Sequence, residues 1–202
     1  MKRIENKIDI FPEKKIQLFE YLKKIKAKMI FEKRNINSIY FENSSNQIYQ
    51  DSIEGISPRK KIRLRCYGKN DYNNFNNSLL ETKLTGPDGR EKFIKNIVSI
   101  KKILNNGIFD NMYGVCNPRS IVSYTRSYYT AKNFRITFDE NIKFYKFDKF
   151  FFKKNEFNFQ EIIAELKSND VTKLDELNAN FPFQLTRFSK YTESIECLDL
   201  DN

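Results

Sequence analysis

The feature that most constrains the fold of this chain is an alternation of charged and apolar residues in strand-length segments. The clearest case is the segment 59–67, where successive side chains would point to opposite faces of an extended strand. One face carries Lys61, Arg63, Arg65 and Tyr67, and the other carries Ile62, Leu64 and Cys66. The pattern predicts a sheet with one apolar face, which helices can cover, and one densely charged face.

Five further predicted strands repeat this arrangement. Their charged or aromatic faces carry Arg3, Glu5 and Lys7 in 3–10, Glu81 and Lys83 in 79–85, Tyr124, Arg126 and Tyr128 in 120–129, Arg135, Thr137 and Asp139 in 133–139, and Glu165 and Lys167 in 161–167. A charged face on one strand is usually only solvated, but six in 202 residues favour a shared lining. If the sheet closes, this lining becomes the wall of a tunnel. Segments 36–42 and 142–147 complete the set of predicted strands.

Two segments have helical periodicity. The first, 12–30, opens with Pro12 and would bury Ile16, Phe19, Leu22 and Ile25. The second, 90–105, would bury Phe93, Ile97, Ile100 and Leu104 before Gly107. A third, shorter helix is predicted near 171–179, and the Asn-rich segment 68–78 is predicted to be a surface turn. With no linker or internal repeat, residues 1–202 are expected to form a single α+β domain.

Charge and composition limit the possible functions. The 36 Lys and Arg residues against 26 Asp and Glu residues leave a net charge of +10, which favours polyanionic partners. His is absent, and this excludes His-dependent nucleophile systems and most zinc sites. Three cysteines without a C-x-x-C spacing indicate a reducing compartment. Without a signal-like or membrane-spanning apolar run, the chain is expected to be cytoplasmic, and any membrane contact would require a membrane-protein partner.

The charged residues indicate a class of chemistry. Arg and Lys bind phosphate oxygens, while interspersed Glu5, Glu81 and Glu165 supply oxygen ligands for a hard divalent cation, a combination typical of metal-dependent phosphoryl transfer. For Glu81 a salt bridge with neighbouring cations is the preferred interpretation, and for Glu5 the two roles are equally supported. Lys60 and Lys61 could line the entrance of the tunnel or be solvated, and the solvated state is the preferred interpretation. The aromatic and Lys-rich run 143–154 fits a packed strand better than a nucleic-acid surface, so no nucleic-acid partner is expected.

At the level of motifs, the sequence resembles the VTC-type polyphosphate polymerase domain of the CYTH, or triphosphate tunnel metalloenzyme, superfamily. The matching segments are R-x-E-x-K at 3–7, SIYFEN and IYQDSIEG within 38–55, SPRKKIRLRCYG at 57–68, LETKL at 80–84, NPRSIVSYTRSYY at 117–129, FRITFDENI at 134–142, EIIAELK at 161–167 and FSKYTES at 188–194. Each alone is weak, but the ordered set spans nearly the whole chain and is specific.

The resemblance implies an antiparallel eight-stranded β-barrel tunnel with helices packed outside. It also implies that ATP and a growing polyphosphate bind with Mn2+ or Mg2+, and that the γ-phosphate of ATP is transferred to the polymer. The implied catalytic residues are Arg63, Arg65, Lys83, Arg126, Arg135 and Lys190; the substrate-binding residues are Lys7, Tyr124, Ser189 and Lys167; the metal ligands are Glu165 and Glu5. Oligomeric state is not implied.

Two departures from the wider superfamily bear on the reaction. Arg3 replaces the first acidic residue of an E-x-E-x-K motif, and Ile163 precedes Glu165 where a second glutamate is common. Fewer carboxylates predict weaker binding of a second metal and poorer activation of water, which favours transfer over hydrolysis. A triphosphate hydrolase and a non-catalytic polyanion-binding module remain the alternative hypotheses.

Overall fold

Strands dominate the computed structural model, which describes residues 4–68, 73–87, 89–131, 134–149, 152–168 and 183–199. The strands are β1 Ile4–Ile10, β2 Lys28–Glu42, β3 Arg59–Tyr67, β4 Leu79–Gly86, β5 Gly89–Asn96, β6 Ile108–Asp110, β7 Gly114–Ala131, β8 Phe134–Asp148, β9 Phe152–Phe159, β10 Ile162–Ser168 and β11 Leu185–Thr186. The α-helices are α1 Lys15–Lys24, α2 Gln47–Glu54, α3 Ile100–Asn106 and α4 Lys190–Asp199, with 3-10 turns at Pro12–Lys14 and Asn73–Asn77. Among the helices of these ranges, none is both long and apolar enough to span a membrane.

The strands belong to one 11-stranded sheet with the hydrogen-bonded order β11-β1-β10-β8-β7-β2-β3-β4-β5. β6 pairs with β7, and β9 pairs with β8. The pairings β1–β10, β10–β8, β2–β3, β3–β4 and β4–β5 are all antiparallel. The antiparallel α+β class is therefore confirmed. In the part of the chain that the structure describes, no pairing joins β5 to β11, so the closed eight-stranded barrel is not confirmed.

The chain divides into two compact units. The first unit contains residues 1–34, 124–142 and 159–188, and the second contains residues 35–123, 143–158 and 189–202. Strands β2, β7 and β8 each pass from one unit into the other. The two units are described separately below.

The core of the first unit lies between α1 and the apolar face of β1, β10 and β8. Alternate residues of the strands supply Ile8, Ile10, Ile162, Ala164, Leu166, Phe134, Ile136 and Phe138, and α1 supplies Leu18, Tyr21 and Leu22. This confirms that a helix covers the apolar sheet face, but the predicted helical stripe was partly wrong. Ile16 is 73% exposed and Phe19 is 51% exposed, because the helix turns its Leu18 and Leu22 side towards the strands.

The second unit has a buried carboxylate at the start of α2. Glu42 accepts hydrogen bonds from the backbone N–H groups of Ile48 and Tyr49, at 3.1 and 2.9 Å, and from the hydroxyl of Tyr191 in α4. Burial raises the pKa of Glu42, although these hydrogen bonds oppose the change. The carboxylate satisfies helix N–H groups that have no partner within the helix, and so it connects β2, α2 and α4.

The sequence predicted several strand bounds well and two helices poorly. Segment 59–67 is strand β3 as predicted, whereas 133–139 and 142–147 merge into the single strand β8. The helix predicted over 12–30 ends at Lys24, and β2 begins at Lys28. The helix predicted over 90–105 is wrong for its first half, which forms β5, and only Ile100–Asn106 is helical. The helix predicted near 171–179 lies outside the described residues.

Candidate functional site

The second unit contains a cluster of basic residues around one buried carboxylate, which we call the Glu81 cluster (Ser38, Tyr40, Lys61, Arg63, Arg65, Glu81, Lys83, Lys92, Ser189 and Lys190). β3 and β4 pair in a register that places Arg63 opposite Glu81. Arg63 donates from Nε to the Oε2 atom of Glu81 at 2.8 Å, and its Nη2 atom lies 2.7 Å from the same oxygen. Lys92 donates to the Oε1 atom of Glu81 at 2.5 Å. The Nη1 atom of Arg65 lies 3.8 Å from the Oε2 atom of Glu81. The predicted salt bridge of Glu81 is thus confirmed.

The neighbouring cations lower the pKa of Glu81. Burial alone would raise it, but the charges of Arg63 and Arg65 and the hydrogen bonds from Lys92 and Arg63 lower it to about 2. The carboxylate therefore stays ionised at neutral pH. It holds the guanidinium groups in fixed positions while neutralising only part of their charge.

Residues of β2 show that the cluster retains a positive electrostatic field. The hydroxyl of Tyr40 lies 3.0 Å from Nη1 of Arg63, and Ser38 accepts from Nε of Arg65 at 3.4 Å. Burial would raise the pKa of Tyr40, yet the charges of Arg63, Arg65 and Lys190 bring it below its ordinary value. A buried phenol whose pKa falls lies where negative charge is stabilised.

The N-terminus of α4 belongs to the same cluster. Ser189 precedes the helix, where its Oγ accepts from the backbone N–H of Thr192 at 3.4 Å and from Nζ of Lys61 at 2.9 Å. Lys190 is buried, and Lys61 lies 5.5 Å from the ring centroid of Tyr191. The prediction that Lys61 is solvated was therefore wrong. A helix N-terminus beside ammonium groups is a favourable environment for an anion.

Lys83 joins the cluster through strand register. It pairs with Lys61 across β3 and β4 and with Lys92 across β4 and β5. Three ammonium groups therefore stand in one row across three strands. Glu81 is the counterion of Lys92 in this row, so the row adds positive charge beside the arginines of the cluster.

The first unit contains a second charged cluster on the sheet face opposite its core, which we call the Glu165 cluster (Glu5, Lys7, Tyr124, Arg126, Arg135, Thr137, Asp139, Glu165 and Lys167). The cluster draws on four strands, β1, β7, β8 and β10, and Glu5 lies opposite Lys167 and Lys7 opposite Glu165 across β1 and β10. Across β10 and β8, Glu165 faces Thr137, and Lys167 faces Arg135. Alternation along each strand thus places all of these residues on one face.

Arg126 is fixed by two carboxylates. Its Nε and Nη2 atoms donate to the two oxygens of fully buried Asp139 at 2.5 and 2.7 Å, and Nη2 lies 3.6 Å from Glu165. Burial would lower the pKa of Arg126, but Asp139, Tyr124 and Glu165 raise it well above its ordinary value. The guanidinium also lies 5.3 Å from the ring centroid of Tyr124. The side chain is consequently a permanent, oriented cation.

Lys167 lies between the two predicted metal ligands. Its Nζ is 2.7 Å from Glu165 and 3.8 Å from Glu5. In the described ranges, no group of three or more acidic or thiol side chains could hold a metal ion. Mg2+ is often bound through one or two carboxylates together with substrate phosphates. The two carboxylates of Glu5 and Glu165 match that number and type of ligand.

The remaining predicted residues of this cluster differ in their partners. Lys7 donates from Nζ to the backbone oxygen of Phe188 at 2.7 Å. Arg135 lies with its guanidinium 5.5 Å from the ring centroid of Tyr128. Within the described ranges, its buried Nε atom has no hydrogen-bond partner, and neither has Oγ1 of Thr137. Buried polar atoms normally have partners, so the unused donor of Arg135 and the hydroxyl of Thr137 are exceptions within this cluster.

The structure distributes the predicted site residues between the two units. Arg63, Arg65, Lys83, Ser189 and Lys190 meet in the Glu81 cluster. Glu5, Lys7, Tyr124, Arg126, Arg135, Glu165 and Lys167 meet in the Glu165 cluster. Their roles as catalytic residues, substrate ligands and metal ligands stay predictions.

Sequence analysis missed the supporting residues. Ser38 and Tyr40 were not predicted as site residues. They alternate along the SIYFEN segment of β2, and this alternation is the sequence signal that they share a face, where they contact Arg65 and Arg63. Asp139 was predicted on the charged face, but its ion pair with Arg126 was not predicted. The alternation that relates it to Arg135 also places it near Arg126 once β7 and β8 are paired.

Comparisons with known proteins connect this architecture to a family. The family model described as the VTC domain matches residues 3–114 and 107–199. No curated protein matches the sequence. Among solved structures, the chain is similar to a candidate adenylate cyclase from Vibrio parahaemolyticus, with 16% identity, 97% of this chain and 98% of that chain covered, and a TM-score of 0.54.

Two further structures have comparable similarity. One is the Hippeastrum protein HpAC1, a candidate adenylyl cyclase with a dominant triphosphatase activity (13% identity, 98% and 96% coverage, TM-score 0.56). The other is a chain of the Schizosaccharomyces pombe Mediator head module (10% identity, 92% and 98% coverage, TM-score 0.54). At such low identities the likeness concerns the fold alone.

Proposed function

We propose that this chain, which belongs to the VTC domain family, is a metal-dependent polyphosphate polymerase that transfers the γ-phosphate of ATP to a polyphosphate end. Family membership supports the handling of phosphate chains. The observation that carries the proposal is the geometry of the Glu81 cluster, in which Arg63, Arg65 and Lys92 converge on a single buried carboxylate whose one negative charge cannot balance all three cations. HpAC1 is described by its triphosphatase activity, which is compatible with phosphate chemistry on this fold.

The side chains would act by positioning and by charge. Arg63, Arg65 and Arg126 are held by carboxylates, so each presents its remaining N–H groups in a fixed direction. Preorganised donors stabilise the charge that spreads over the equatorial oxygens of a transferring phosphoryl group. The accepting phosphate oxygen is already ionised at neutral pH, so transfer needs no histidine as a general base.

A divalent cation would complete the charge balance. Glu165 and Glu5 would hold it together with phosphate oxygens, and it would neutralise phosphate charge and orient the triphosphate. Lys167, now between these carboxylates, would turn its ammonium towards phosphate.

The pairing of the carboxylates favours transfer over hydrolysis. Glu165 contacts Lys167 and Arg126, Glu5 contacts Lys167, and Asp139 contacts Arg126. Hydrolytic two-metal sites use several carboxylates to hold a second ion and activate water. One divalent cation would occupy Glu5 and Glu165, and Asp139 is held by Arg126, so the Glu165 cluster would keep no further carboxylate for a second ion that activates water.

The test is incubation of the purified chain with ATP and Mn2+ or Mg2+, followed by gel separation of polyphosphate and quantification of ADP. We expect a polymer ladder with matching ADP. Arg63→Ala should reduce the rate by at least about 100-fold, as removal of one charge-stabilising donor does elsewhere. Lys60→Ala is the matched control on the same strand, because Lys60 pairs with Asp110 rather than with Glu81.

The products separate the proposal from its alternatives. ADP and phosphate without polymer would identify a hydrolase. Tight polyphosphate binding without ADP, unchanged by metal or by Glu165→Gln, would identify a binding module. Circular dichroism and thermal melting of each variant would establish that a loss of turnover is not a loss of fold.

A further inference from the structure

Four side chains of the first unit form an aromatic and arginine cluster at the edge of the Glu165 cluster. Phe31 and Tyr128 meet edge to face, with ring centroids 5.7 Å apart. The guanidinium of Arg34 lies 5.3 Å from the Phe31 centroid and 5.9 Å from the Tyr128 centroid. Arg135 lies 5.5 Å from the Tyr128 centroid. One buried ring is thus contacted by two arginines and a second ring.

The two rings differ in exposure. Tyr128 is 6% exposed, whereas Phe31 is 49% exposed. The two ring planes are perpendicular, so Tyr128 does not stack flat on Phe31. An exposed aromatic ring beside an Arg guanidinium is the combination on which nucleic-acid bases stack.

Strand register connects this surface to the charged cluster. Arg135, which contacts Tyr128, is directly opposite Lys167, and Lys167 contacts both Glu165 and Glu5. Nε of Arg135 is buried and lacks a hydrogen-bond partner in the described part of the chain. An aromatic surface therefore adjoins a guanidinium of the Glu165 cluster.

We infer that Phe31 and Arg34 form a stacking site for the base of a nucleoside triphosphate whose phosphates bind the Glu165 cluster. This inference rests on the proposed function and adds to it a contact for the base. A nucleoside triphosphate carries a flat aromatic group at one end and phosphates at the other, which matches the order of groups from Phe31 to Arg135. Inorganic triphosphate has the charged end only and would not use Phe31.

Calorimetric titration of the full chain with two ligands tests this inference. The ligands are β,γ-imido ATP and inorganic imidotriphosphate, both of which resist transfer, in the presence of Mg2+. Phe31→Ala should weaken binding of the ATP analogue about five- to tenfold, the lower range for loss of one base–aromatic stack, and leave imidotriphosphate within about twofold. Phe31→Tyr should restore the affinity for the ATP analogue. Phe19→Ala, which removes a comparably exposed ring from α1, is the control and should change neither affinity.

The outcomes separate this inference from the proposed function. Equal affinities of Phe31→Ala and wild type for the ATP analogue would overturn the inference, as would an equal loss for both ligands, since Phe31 would then only support Tyr128 and Arg135. Wild type that binds neither ligand would overturn the proposed function together with the inference. A selective loss of the ATP analogue in a chain that makes no polymer would support the stacking site and overturn the polymerase.

Discussion

Replacement of Glu81 by glutamine tests whether a single carboxylate organises the basic cluster of the second unit. Glutamine has nearly the same shape but no charge, so Arg63, Arg65 and Lys92 would lose their shared counterion. The pKa of Glu81 lies at about 2 against an ordinary value of 4.5, and its side chain is 4% exposed. This difference corresponds to about 3 kcal/mol of folding free energy at neutral pH. We therefore expect Glu81→Gln to lower the free energy of unfolding by about 3 kcal/mol.

The contribution of Glu81 to the free energy of unfolding decreases as the pH falls. The folded pKa of Glu81 is lowered, so its contribution is fully present above the unfolded pKa and is lost as pH falls towards about 2. The difference between wild type and Glu81→Gln should be constant from about pH 6 to 8 and should shrink to roughly half by about pH 3. Urea denaturation followed by circular dichroism at several pH values measures it.

The same variant makes a prediction about anions. If polyphosphate binds this cluster as proposed, it would replace the counterion that Arg63 and Arg65 lose, so saturating polyphosphate should stabilise Glu81→Gln more than it stabilises wild type. Asp51→Asn provides a comparison at a carboxylate of the same unit that accepts from Tyr113 rather than from a cluster cation. A loss below about 1 kcal/mol for Glu81→Gln, or a loss independent of pH, would refute the reasoning.

Two further predictions concern stability. Asp139→Asn should destabilise the chain by about 3–5 kcal/mol in urea denaturation, because buried Arg126 loses its bidentate counterion; a change below about 1 kcal/mol would contradict that pairing. Gly107→Ala should destabilise by about 2–4 kcal/mol, since Gly107 has a φ of +73° and an added Cβ would lie 2.6 Å from a backbone oxygen of β7. Gly55→Ala, with a φ of +77° and open space around the added Cβ, should cost only about 1 kcal/mol, and equal losses at the two glycines would show that the close contact is relieved.

Local pattern predicts this fold where side-chain alternation and strand pairing agree. The segment 59–67 alternates cleanly, and β3 occupies those residues because Ile62 and Leu64 are buried while Arg63 pairs with Glu81 across the sheet. The charge pattern predicted that Glu81 pairs with a neighbouring cation, and the strand register identifies Arg63 as one partner. The same holds for β10, where Glu165 and Lys167 lie on the face opposite Leu166.

Local pattern fails where a tertiary contact decides between two periodicities. Phe93 and Ile100 are compatible with one helical stripe, but β4 pairs with residues 89–96 through a hairpin whose last pair joins Gly86 and Gly89. The backbone hydrogen bonds of that hairpin outweigh the helical preference of an exposed segment, in which Phe93 remains 49% exposed. The glycines on either side of Pro87 were the available signal for a turn.

In the candidate site, too, the sequence identifies individual charged residues, whereas the contacts between them depend on how the strands pair. The cations could be identified one by one, because each stands at an alternating position of a strand. Their counterions could not be assigned, since a pair such as Arg126 and Asp139 forms only when β7 and β8 align. Which cation each glutamate faces is likewise decided by register.

The electrostatics of the two clusters bear on the kind of chemistry they can support. Glu81 has a pKa of about 2, and the pKa of Arg126 is raised well above its ordinary value, so neither group changes its charge near neutral pH. A general acid or base works best with a pKa near the working pH, which these groups do not have. Fixed cations instead favour a reaction in which both the nucleophile and the leaving group are oxyanions and no proton must move in the transition state. Transfer of a phosphoryl group between two phosphate chains is such a reaction, and a chain without histidine is suited to it.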